Sequence, residues 1–251
     1  MAGAGRAGRA GRGRVTVASQ KDSNSAGRVI AGTARGRLLV SPGEGTRPLG
    51  DRVKQTLFAI LEPTIRGRAF LDLFAGSGAA GIEALSRGAE QAVFVERDAG
   101  AVRTIERNLA AAGFEAPRAR VVRSQVGTWL NSVSREVGTR GAGDERGERG
   151  RRETGGRGPA AGPFAAILVD PPYDLPELVQ AALQSIAAAG PGGILEWDGI
   201  VVAKHFWKTP PAEVGLLRSA RERRFGETGL TFLRWAEPAP DEPAPDVEED
   251  G

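Results

Sequence analysis

The sequence predicts an α/β protein in which a mostly parallel β-sheet is covered by helices on both faces. Helical and strand patterns alternate along the chain, which is typical of such a sheet. The run Phe164-Ala165-Ala166-Ile167-Leu168-Val169 is apolar throughout, as in a buried strand. A second apolar strand runs into a glycine-rich turn and then a helix at 70–85. Ligands of such sheets bind at the carboxyl ends of the strands.

Each element follows from a local pattern. A small hairpin is predicted around residues 34–36, and Val53, Leu57 and Leu61 form one stripe of a helix that Pro63 should end. Asp98 can cap a helix that Gly113 stops. In order, the predicted elements are hairpin strands at 28–32 and 37–40, a helix at 48–61, a strand at 69–73, a helix at 79–87, a strand at 91–96, a helix at 98–113, a strand at 119–123, a short helix through Trp129 and Leu130, a strand at 164–169, a helix at 176–189, a strand at 199–204, and a terminal hairpin of 216–224 and 230–235 around Gly226.

Three segments differ in composition from a packed domain. Residues 1–27 are rich in Gly, Ala and Arg and carry five basic residues and one acidic residue. Residues 236–251 carry seven acidic residues and no basic one, and residues 135–163 combine seven arginines with five acids and many glycines. Because these segments have little apolar surface, we expect two disordered tails and a disordered insertion. A single packed domain then occupies 28–235, with 28–62 as an extension at its amino end.

Composition excludes several kinds of site. The chain has no cysteine, so disulfides and thiolate metal sites are impossible, and its single histidine, His205, argues against a histidine-built metal site or triad. No run approaches the roughly 18 apolar residues of a membrane span, and the amino-terminal segment lacks the apolar core of a signal peptide. We therefore expect a cytoplasmic protein with no metal and no membrane partner.

The glycine-rich turn is a candidate cofactor site. Phe70-Leu71-Asp72-Leu73 is followed by Phe74-Ala75-Gly76-Ser77-Gly78 and a helix, and glycines allow a sharp turn and close approach to a ligand. Asp72 would repel a pyrophosphate but attract S-adenosylmethionine, which carries an ammonium and a sulfonium. Glu96, twenty positions after Gly76, ends the next strand, where an acid can bind ribose hydroxyls. This favours S-adenosylmethionine over a nicotinamide cofactor.

The tetrapeptide Asp170-Pro171-Pro172-Tyr173 follows the buried strand and is the candidate catalytic motif. Two prolines remove two backbone donors, which leaves the carbonyls and the Asp170 carboxylate as acceptors. Acceptors beside an aromatic ring suit a planar substrate with an NH2 group, such as a nucleobase or an amide. With Asp72 and Glu96, Asp170 makes three acids at three strand ends, which outline one ligand crevice.

The chain resembles the bacterial small-subunit (16S) ribosomal RNA guanine-N2 methyltransferases of the RsmD type. Three blocks and a closing segment carry the resemblance: 28–38 with 46–58, then 72–88, then 170–173, and finally Phe225-Gly226-Glu227-Thr228. The resemblance implies a Rossmann-like class I fold with a seven-stranded sheet and a carboxyl-terminal antiparallel hairpin. It also implies S-adenosylmethionine as cofactor and small-subunit ribosomal RNA, free or in the assembling subunit, as partner of a monomer.

The resemblance also implies site residues. Catalytic roles fall on Asp170, Pro171, Pro172 and Tyr173; the cofactor would contact Asp72, Phe74, Gly76, Ser77, Gly78, Glu96 and Gln125; and Arg28, Arg35, Arg37, Arg47 and Arg52 would bind RNA phosphates. Gln125 departs from the Asp or Asn that usually bonds the adenine amino group, and Ala203-Lys204-His205 replaces a segment that often carries a Glu. The 135–163 insertion is unusual for the family.

The residues leave other functions open. With the same cofactor and a similar Pro-Pro motif, the methyl acceptor could instead be adenine N6 of DNA or a protein glutamine. A nicotinamide oxidoreductase could use a similar sheet, although Asp72 counts against it, and a non-catalytic RNA-binding module would fit a decayed pocket.

Overall fold

A computed structural model describes residues 25–43, 49–141 and 163–237 of the 251-residue chain. Most of the two predicted tails (1–24 and 238–251), Arg47 and most of the predicted insertion (142–162) lie outside these ranges. The described elements are β1 (Ser25–Arg28), β2 (Leu38–Val40), α1 (Asp51–Ile65), β3 (Ala69–Leu73), α2 (Ala79–Ser86), β4 (Gln91–Glu96), α3 (Ala99–Ala112), β5 (Ala119–Arg123), α4 (Val126–Gly141), β6 (Phe164–Val169), α5 (Glu177–Ala188), β7 (Leu195–Phe206), β8 (Leu217–Phe225) and β9 (Thr228–Trp235).

The main sheet has seven strands in the order β5-β4-β3-β6-β7-β9-β8. Strands β5, β4, β3, β6 and β7 pair in parallel, whereas β9 is antiparallel to both β7 and β8. The chain moves outward from β3 to one side and then returns to β6 on the other, so the two central strands flank the point where the strand order reverses. The predicted class I fold is confirmed, and its crevice lies at this reversal point.

Each face of the sheet is covered by its own helices. Apolar side chains of α1, α2 and α3 pack on alternate sheet residues such as Phe70, Phe94 and Leu168. Side chains of α4 and α5 pack on the intervening residues, including Leu71 and Ile167. Every side chain of β6 is buried, as its continuous apolar sequence predicted for a strand covered on both faces.

The hairpin β1–β2 belongs to an extension that docks on α2 and α3. Glu83, fully buried on α2, accepts hydrogen bonds from the backbone N–H groups of Ile30 (2.7 Å) and Ala31 (3.1 Å). Asn108 of α3 accepts from the N–H of Val40 and donates to its carbonyl, both at 2.9 Å. Polar side chains of two helices therefore complete the backbone hydrogen bonds of the extension.

Several boundaries differ from the sequence-based expectation. The first hairpin strand is Ser25–Arg28 rather than 28–32, so residues 25–27 belong to the hairpin and not to the predicted tail. Helix α1 continues through Pro63 to Ile65, because a proline in the last turn removes only one backbone hydrogen bond. Strand β7 begins at Leu195 rather than 199.

Helix α4 is the largest difference. It was predicted as a short helix through Trp129 and Leu130 followed by an insertion from 135, but it extends to Gly141. Trp129, Leu130 and Val133 are buried against the sheet, which anchors the helix at its start. No helix in the described part of the chain is long and apolar enough to cross a membrane.

Candidate active site

The loop between β3 and α2 has the backbone geometry of a ligand-binding turn. Gly76 and Gly78 have φ values of 55° and 74°, in the left-handed region that glycine tolerates. Phe74 has φ 63° and is the one non-glycine residue with positive φ in the described ranges. Such strain in a large side chain is uncommon and concentrates at binding sites.

Glu96 at the end of β4 holds this loop from the neighbouring strand. Its carboxylate accepts hydrogen bonds from the N–H groups of Gly76 and Asp98, both at 2.9 Å. Asp98 then caps α3 by accepting from the N–H of Ala101 at 2.7 Å. One side chain therefore fixes both the glycine loop and the turn that follows β4.

Asp72 lies on β3 on the face covered by α2. It is 2% exposed, and its Oδ2 accepts a hydrogen bond from the N–H of Gly81 at 2.9 Å. The second carboxylate oxygen of Asp72 forms no hydrogen bond. Because every fully buried side-chain oxygen of the described residues has a hydrogen-bond partner, this oxygen is accessible, and it faces the cavity that Asp72 lines. Burial raises the pKa of Asp72 well above its usual range, and the negative charges of Asp170 and Glu96 raise it further.

The Asp170 motif is held by residues from β7 and from the start of β9. Lys204, 7% exposed near the end of β7, forms an ion pair with Asp170, and its Nζ lies 4.8 Å from the centroid of the Tyr173 ring. The Tyr173 hydroxyl bonds the Thr228 hydroxyl at 2.7 Å. Burial raises the pKa of Asp170, while the Lys204 ammonium opposes that rise. One face of the Tyr173 ring is therefore covered by a cation, and the side chain remains 39% exposed.

The predicted backbone acceptors differ in availability. Pro172 donates no hydrogen bond, as expected, but its carbonyl accepts from the N–H of Leu175 at 3.1 Å and so closes a turn. The Pro171 carbonyl has no such partner in the described ranges, and Pro171 itself is buried. The acceptors facing the ligand are therefore fewer than the sequence suggested.

Asp72 and Asp170 line one cavity of about 1460 Å³ at the carboxyl edge of the sheet. A cavity of this size exceeds the 300–1,000 Å³ of a typical small-molecule site, so it has room for a cofactor and part of a second ligand. The walls that carry predicted site residues contain Asp72, Phe74, Gly76, Ser77, Glu96, Gln125, Asp170, Pro171, Pro172 and Tyr173. Nine of these positions, all except Gln125, come from sequence patterns at strand ends that the fold brings together.

Other predicted site residues lie elsewhere. Gly78 is not on the cavity wall; a Cβ there would come within 3.0 Å of Ile105, so this glycine serves the packing of α3. Arg35, Arg37 and Arg52 are exposed on the extension, outside the cavity wall. Arg28 is exposed and pairs with Asp51 at 3.2 Å. Leu49, Gly50 and Val53 place this extension at the rim of the cavity.

Sequence reasoning missed Lys204 as a site residue. It was noted only as a departure from the family pattern, although it ends the predicted strand 199–204 beside the strand that carries Asp170. Val169 pairs with Ala203 in the sheet, so the next residues, Asp170 and Lys204, are adjacent. The rule that located the acids, a charged residue at a strand end, would also have found this lysine. His205 bonds the Phe206 carbonyl and the Thr231 hydroxyl through its two ring nitrogens, in keeping with a structural role.

The described residues contain no group of three or more acids or histidines that could hold a metal ion. The site offers carboxylates, backbone groups, the Lys204 ammonium and aromatic rings to its ligands.

Comparisons with known proteins agree on one family. The family model described as Conserved hypothetical protein 95 matches residues 27–138. YlbH of Bacillus subtilis is 36% identical over 209 residues, which cover 82% of this chain and 98% of that protein. Ribosomal RNA small subunit methyltransferase D of Escherichia coli is 46% identical over 104 residues, 41% of this chain and 52% of the relative.

Solved structures agree with the fold. The Escherichia coli protein yhhF is 28% identical with a TM-score of 0.61, covering 84% of this chain and 98% of its own. The structure of SMU.776 with bound SAH is 13% identical with a TM-score of 0.51, covering 75% of this chain and 50% of its own, and supports the fold alone. The chain belongs to the small-subunit ribosomal RNA methyltransferase D family and has the Rossmann-like class I fold.

Proposed function

We propose that this ribosomal RNA methyltransferase modifies the exocyclic N2 of a guanine in small-subunit ribosomal RNA. The observation that carries the proposal is the shared cavity, whose wall holds both a carboxylate suited to an amine, Asp170, and carboxylates suited to a cationic cofactor, Asp72 and Glu96. Membership of the family supports ribosomal RNA as the substrate and leaves the nicotinamide alternative without support.

The residues at the reversal point fit S-adenosylmethionine. The free oxygen of Asp72 and the backbone of the glycine loop suit the cationic methionine part, and Glu96 stands where an acid can accept from ribose hydroxyls. Phe74, Ser77 and Gln125 complete this part of the wall, and Gln125 has an amide oxygen that can accept from the adenine amino group. When bound, the cofactor supplies an electrophilic methyl group.

The Asp170 motif suits the acceptor amine. The lone pair of an exocyclic guanine amine is delocalised into the ring, so the amine is a poor nucleophile until it is oriented. The Asp170 carboxylate and the Pro171 carbonyl accept hydrogen bonds from the two N–H groups of the amine and so direct its lone pair toward the methyl group. The open face of the Tyr173 ring stacks on the base. Orientation of two reactants can supply about 7–11 kcal/mol at best, and stacking contributes about 1–3 kcal/mol per base.

The target base has to leave its helix to reach this site, because its N2 is inaccessible in a stacked duplex. The mouth of the cavity is formed partly by the extension, whose exposed arginines Arg35, Arg37 and Arg52 suit RNA phosphates. Arg28 is partly neutralised by Asp51, and we expect it to contribute less.

Replacement of the catalytic carboxylate tests the mechanism. We expect Asp170→Ala to reduce methyl transfer to unmodified small-subunit ribosomal RNA by at least a hundredfold while the dissociation constant for S-adenosylmethionine changes little. Glu177→Ala, an exposed acid seven residues later on α5, is the matched control. Full activity of Asp170→Ala would refute the role given to this carboxylate.

The acceptor is tested by transfer of labelled methyl to ribosomal RNA, DNA and protein in parallel. We expect label only in small-subunit RNA, at the N2 of one guanine on digestion and mass spectrometry. Label at adenine N6 of DNA or on glutamine would support the alternative acceptors instead.

A further inference from the structure

The outer edge strand of the sheet, β8, is basic and exposed. It lies at the end of the strand order and pairs on one side only, with β9. All side chains from Arg218 to Arg224 are exposed. We define the basic strip as Arg221, Arg223 and Arg224 of β8 together with Lys208, which follows β7.

The charges of the basic strip are not neutralised by partners. None of its four residues takes part in the ion pairs of the described residues, whereas Arg218 at the far end of β8 pairs with Glu213 at 3.4 Å. Arg223 and Arg224 donate only to the backbone carbonyls of Glu222 (2.8 Å) and Gly226 (2.9 Å). Four cations therefore face two nearby acids, Glu222 and Glu227, and the surface keeps a net positive charge.

The basic strip also carries stacking surfaces. The guanidinium carbon of Arg224 lies 3.4 Å from the centroid of the Trp207 ring, and the Lys208 ammonium lies 5.4 Å from it. Phe206, on the cavity wall, is 36% exposed. Aromatic rings and guanidinium planes are the surfaces on which unpaired bases stack, and they are used without sequence preference.

The basic strip leads directly to the cavity. Because β7 and β8 are both antiparallel to β9, they run in the same direction, and β8 ends at the same edge of the sheet as the parallel strands. The turn after β8 brings Glu227 and Thr228 onto the cavity wall, where Thr228 bonds Tyr173. A nucleotide chain that leaves the cavity on this side therefore meets Phe206, Trp207 and Arg224 in turn.

We propose that the basic strip is a second RNA-binding surface, which holds the single-stranded segment adjoining the target guanine. This inference rests on the proposed function, and it assigns to β8 a role separate from that of the extension. The extension and the turn after β8 both line the cavity, through Leu49 and Val53 and through Glu227, so RNA contacted by both is held at two places near the base that enters.

A matched pair of double variants tests the proposal. Arg223→Gln with Arg224→Gln removes two charges from the basic strip, one on each face of β8. Arg103→Gln with Arg107→Gln removes two exposed arginines from α3, which packs near β5 at the opposite edge of the sheet. Affinity for an unmodified 16S ribosomal RNA transcript is measured over a range of KCl concentrations, together with kcat, KM and the dissociation constant for S-adenosylmethionine.

We expect the β8 variant to bind this RNA about tenfold more weakly near physiological salt, with a salt dependence less steep by about 1.4, because each contact to a single strand contributes about 0.7. KM for RNA should rise, while kcat at saturating RNA and cofactor affinity should match the parent. The α3 variant should show neither change.

Equal RNA affinity and equal salt dependence in the two variants would overturn the proposal. A second result would also overturn it: the parent binds a poly-glutamate peptide, the β8 variant does not, and the two bind RNA equally. The basic strip would then bind an acidic protein segment. Failure of the proposed function gives a different result: the parent itself would transfer no methyl group to guanine N2.

Discussion

The ionised side chain of Asp72 destabilises the protein when the cavity is empty and favours binding of a cationic cofactor. Its carboxyl group is buried at the cavity wall, near the charges of Asp170 and Glu96, and these surroundings raise its pKa. A cationic ligand beside the open oxygen would favour the ionised form. We therefore expect the affinity for S-adenosylmethionine to increase as pH rises through the folded-state pKa of Asp72.

The same group makes the stability of the empty protein depend on pH. Because the folded state binds this proton more tightly than the unfolded chain does, the contribution of Asp72 is present below its unfolded pKa and is lost as pH rises through its folded pKa. We expect Asp72→Asn to stabilise the empty protein at neutral pH by on the order of 1 kcal/mol or more, since it removes a buried charge.

Denaturant unfolding of Asp72→Asn from the acidic range to pH 8 measures this effect. The variant should lose the decline that the parent shows as pH rises, and it should bind S-adenosylmethionine poorly. The exposed Asp174→Asn on the Asp170 loop is the matched substitution. A neutral-pH stability of Asp72→Asn at or below that of the parent would contradict the interpretation.

Lys204 should set the acidic limit of catalysis. Its ammonium opposes the rise in the pKa of Asp170 that burial causes. Asp170 has to be ionised to accept from the substrate amine, so loss of Lys204 should move the acidic limb of the kcat profile to higher pH. We expect this shift in Lys204→Met at saturating RNA and cofactor, and its reversal in Lys204→Arg. A lower kcat with an unshifted limb in Lys204→Met would indicate a purely structural lysine.

At the scale of elements, the close packing of α2 on the sheet depends on a glycine. Gly81 lies within this helix, and a Cβ at its position would come within 2.2 Å of the Phe94 ring. Its N–H is also the donor to Asp72. This glycine therefore allows the helix to approach β4 and to reach the cofactor site.

A pair of glycine substitutions separates packing from helix propensity. Gly81→Ala should destabilise the protein by about 1–3 kcal/mol because the ring of Phe94 has to move. Gly127→Ala in α4, where nothing lies within 4 Å of the new methyl group, should stabilise it by up to about 1 kcal/mol. Denaturant unfolding of the two variants gives both values, and equal effects of the same sign would contradict the packing account.

Elements with a strong local signal could be predicted from the sequence, and their ends could not when tertiary contacts set them. The apolar run of β6, the Asp98 cap and the Gly113 stop fixed their elements closely. By contrast, β7 begins early because it pairs with a neighbouring strand from Leu195 onward. Helix α4 passes beyond the apolar stripe at 129–133 into a polar stretch that periodicity does not identify as helical.

At the scale of the whole molecule, the candidate site could be predicted in part because parallel strands place their carboxyl ends together. That rule brought Asp72, Glu96 and Asp170 to one cavity without any knowledge of side-chain contacts. It could not give the ion pair of Asp170 with Lys204 or the bond of Tyr173 to Thr228, since these depend on the register of β7 and β9. It also could not show that Gly78 packs closely against Ile105 of α3.

The attachment of the extension depends on the buried Glu83. Its carboxylate binds two backbone N–H groups of the extension and pairs with Arg87 at 2.7 Å. We expect Glu83→Ala to cost about 3 kcal/mol, because it leaves two backbone N–H donors unpaired and takes from the nearly buried Arg87 guanidinium one of its two acidic partners, Glu62 being the other. Amide exchange should accelerate at 25–43 more than in β3 or β6.

The exposed Glu90→Ala, seven residues later, should leave both stability and exchange unchanged. Uniform loss of protection across the whole sheet in Glu83→Ala would contradict a local anchoring role.

The anchors of the extension have a consequence for biosynthesis. Residues 29–40 come early in the chain, but Glu83, Ser86 and Asn108 follow them by 52 to 68 positions. A nascent polypeptide emerges from its amino end, so this arm waits undocked until α3 has left the tunnel. During translation the arginines of the extension are therefore exposed close to the ribosome before the cavity of the folded enzyme has formed.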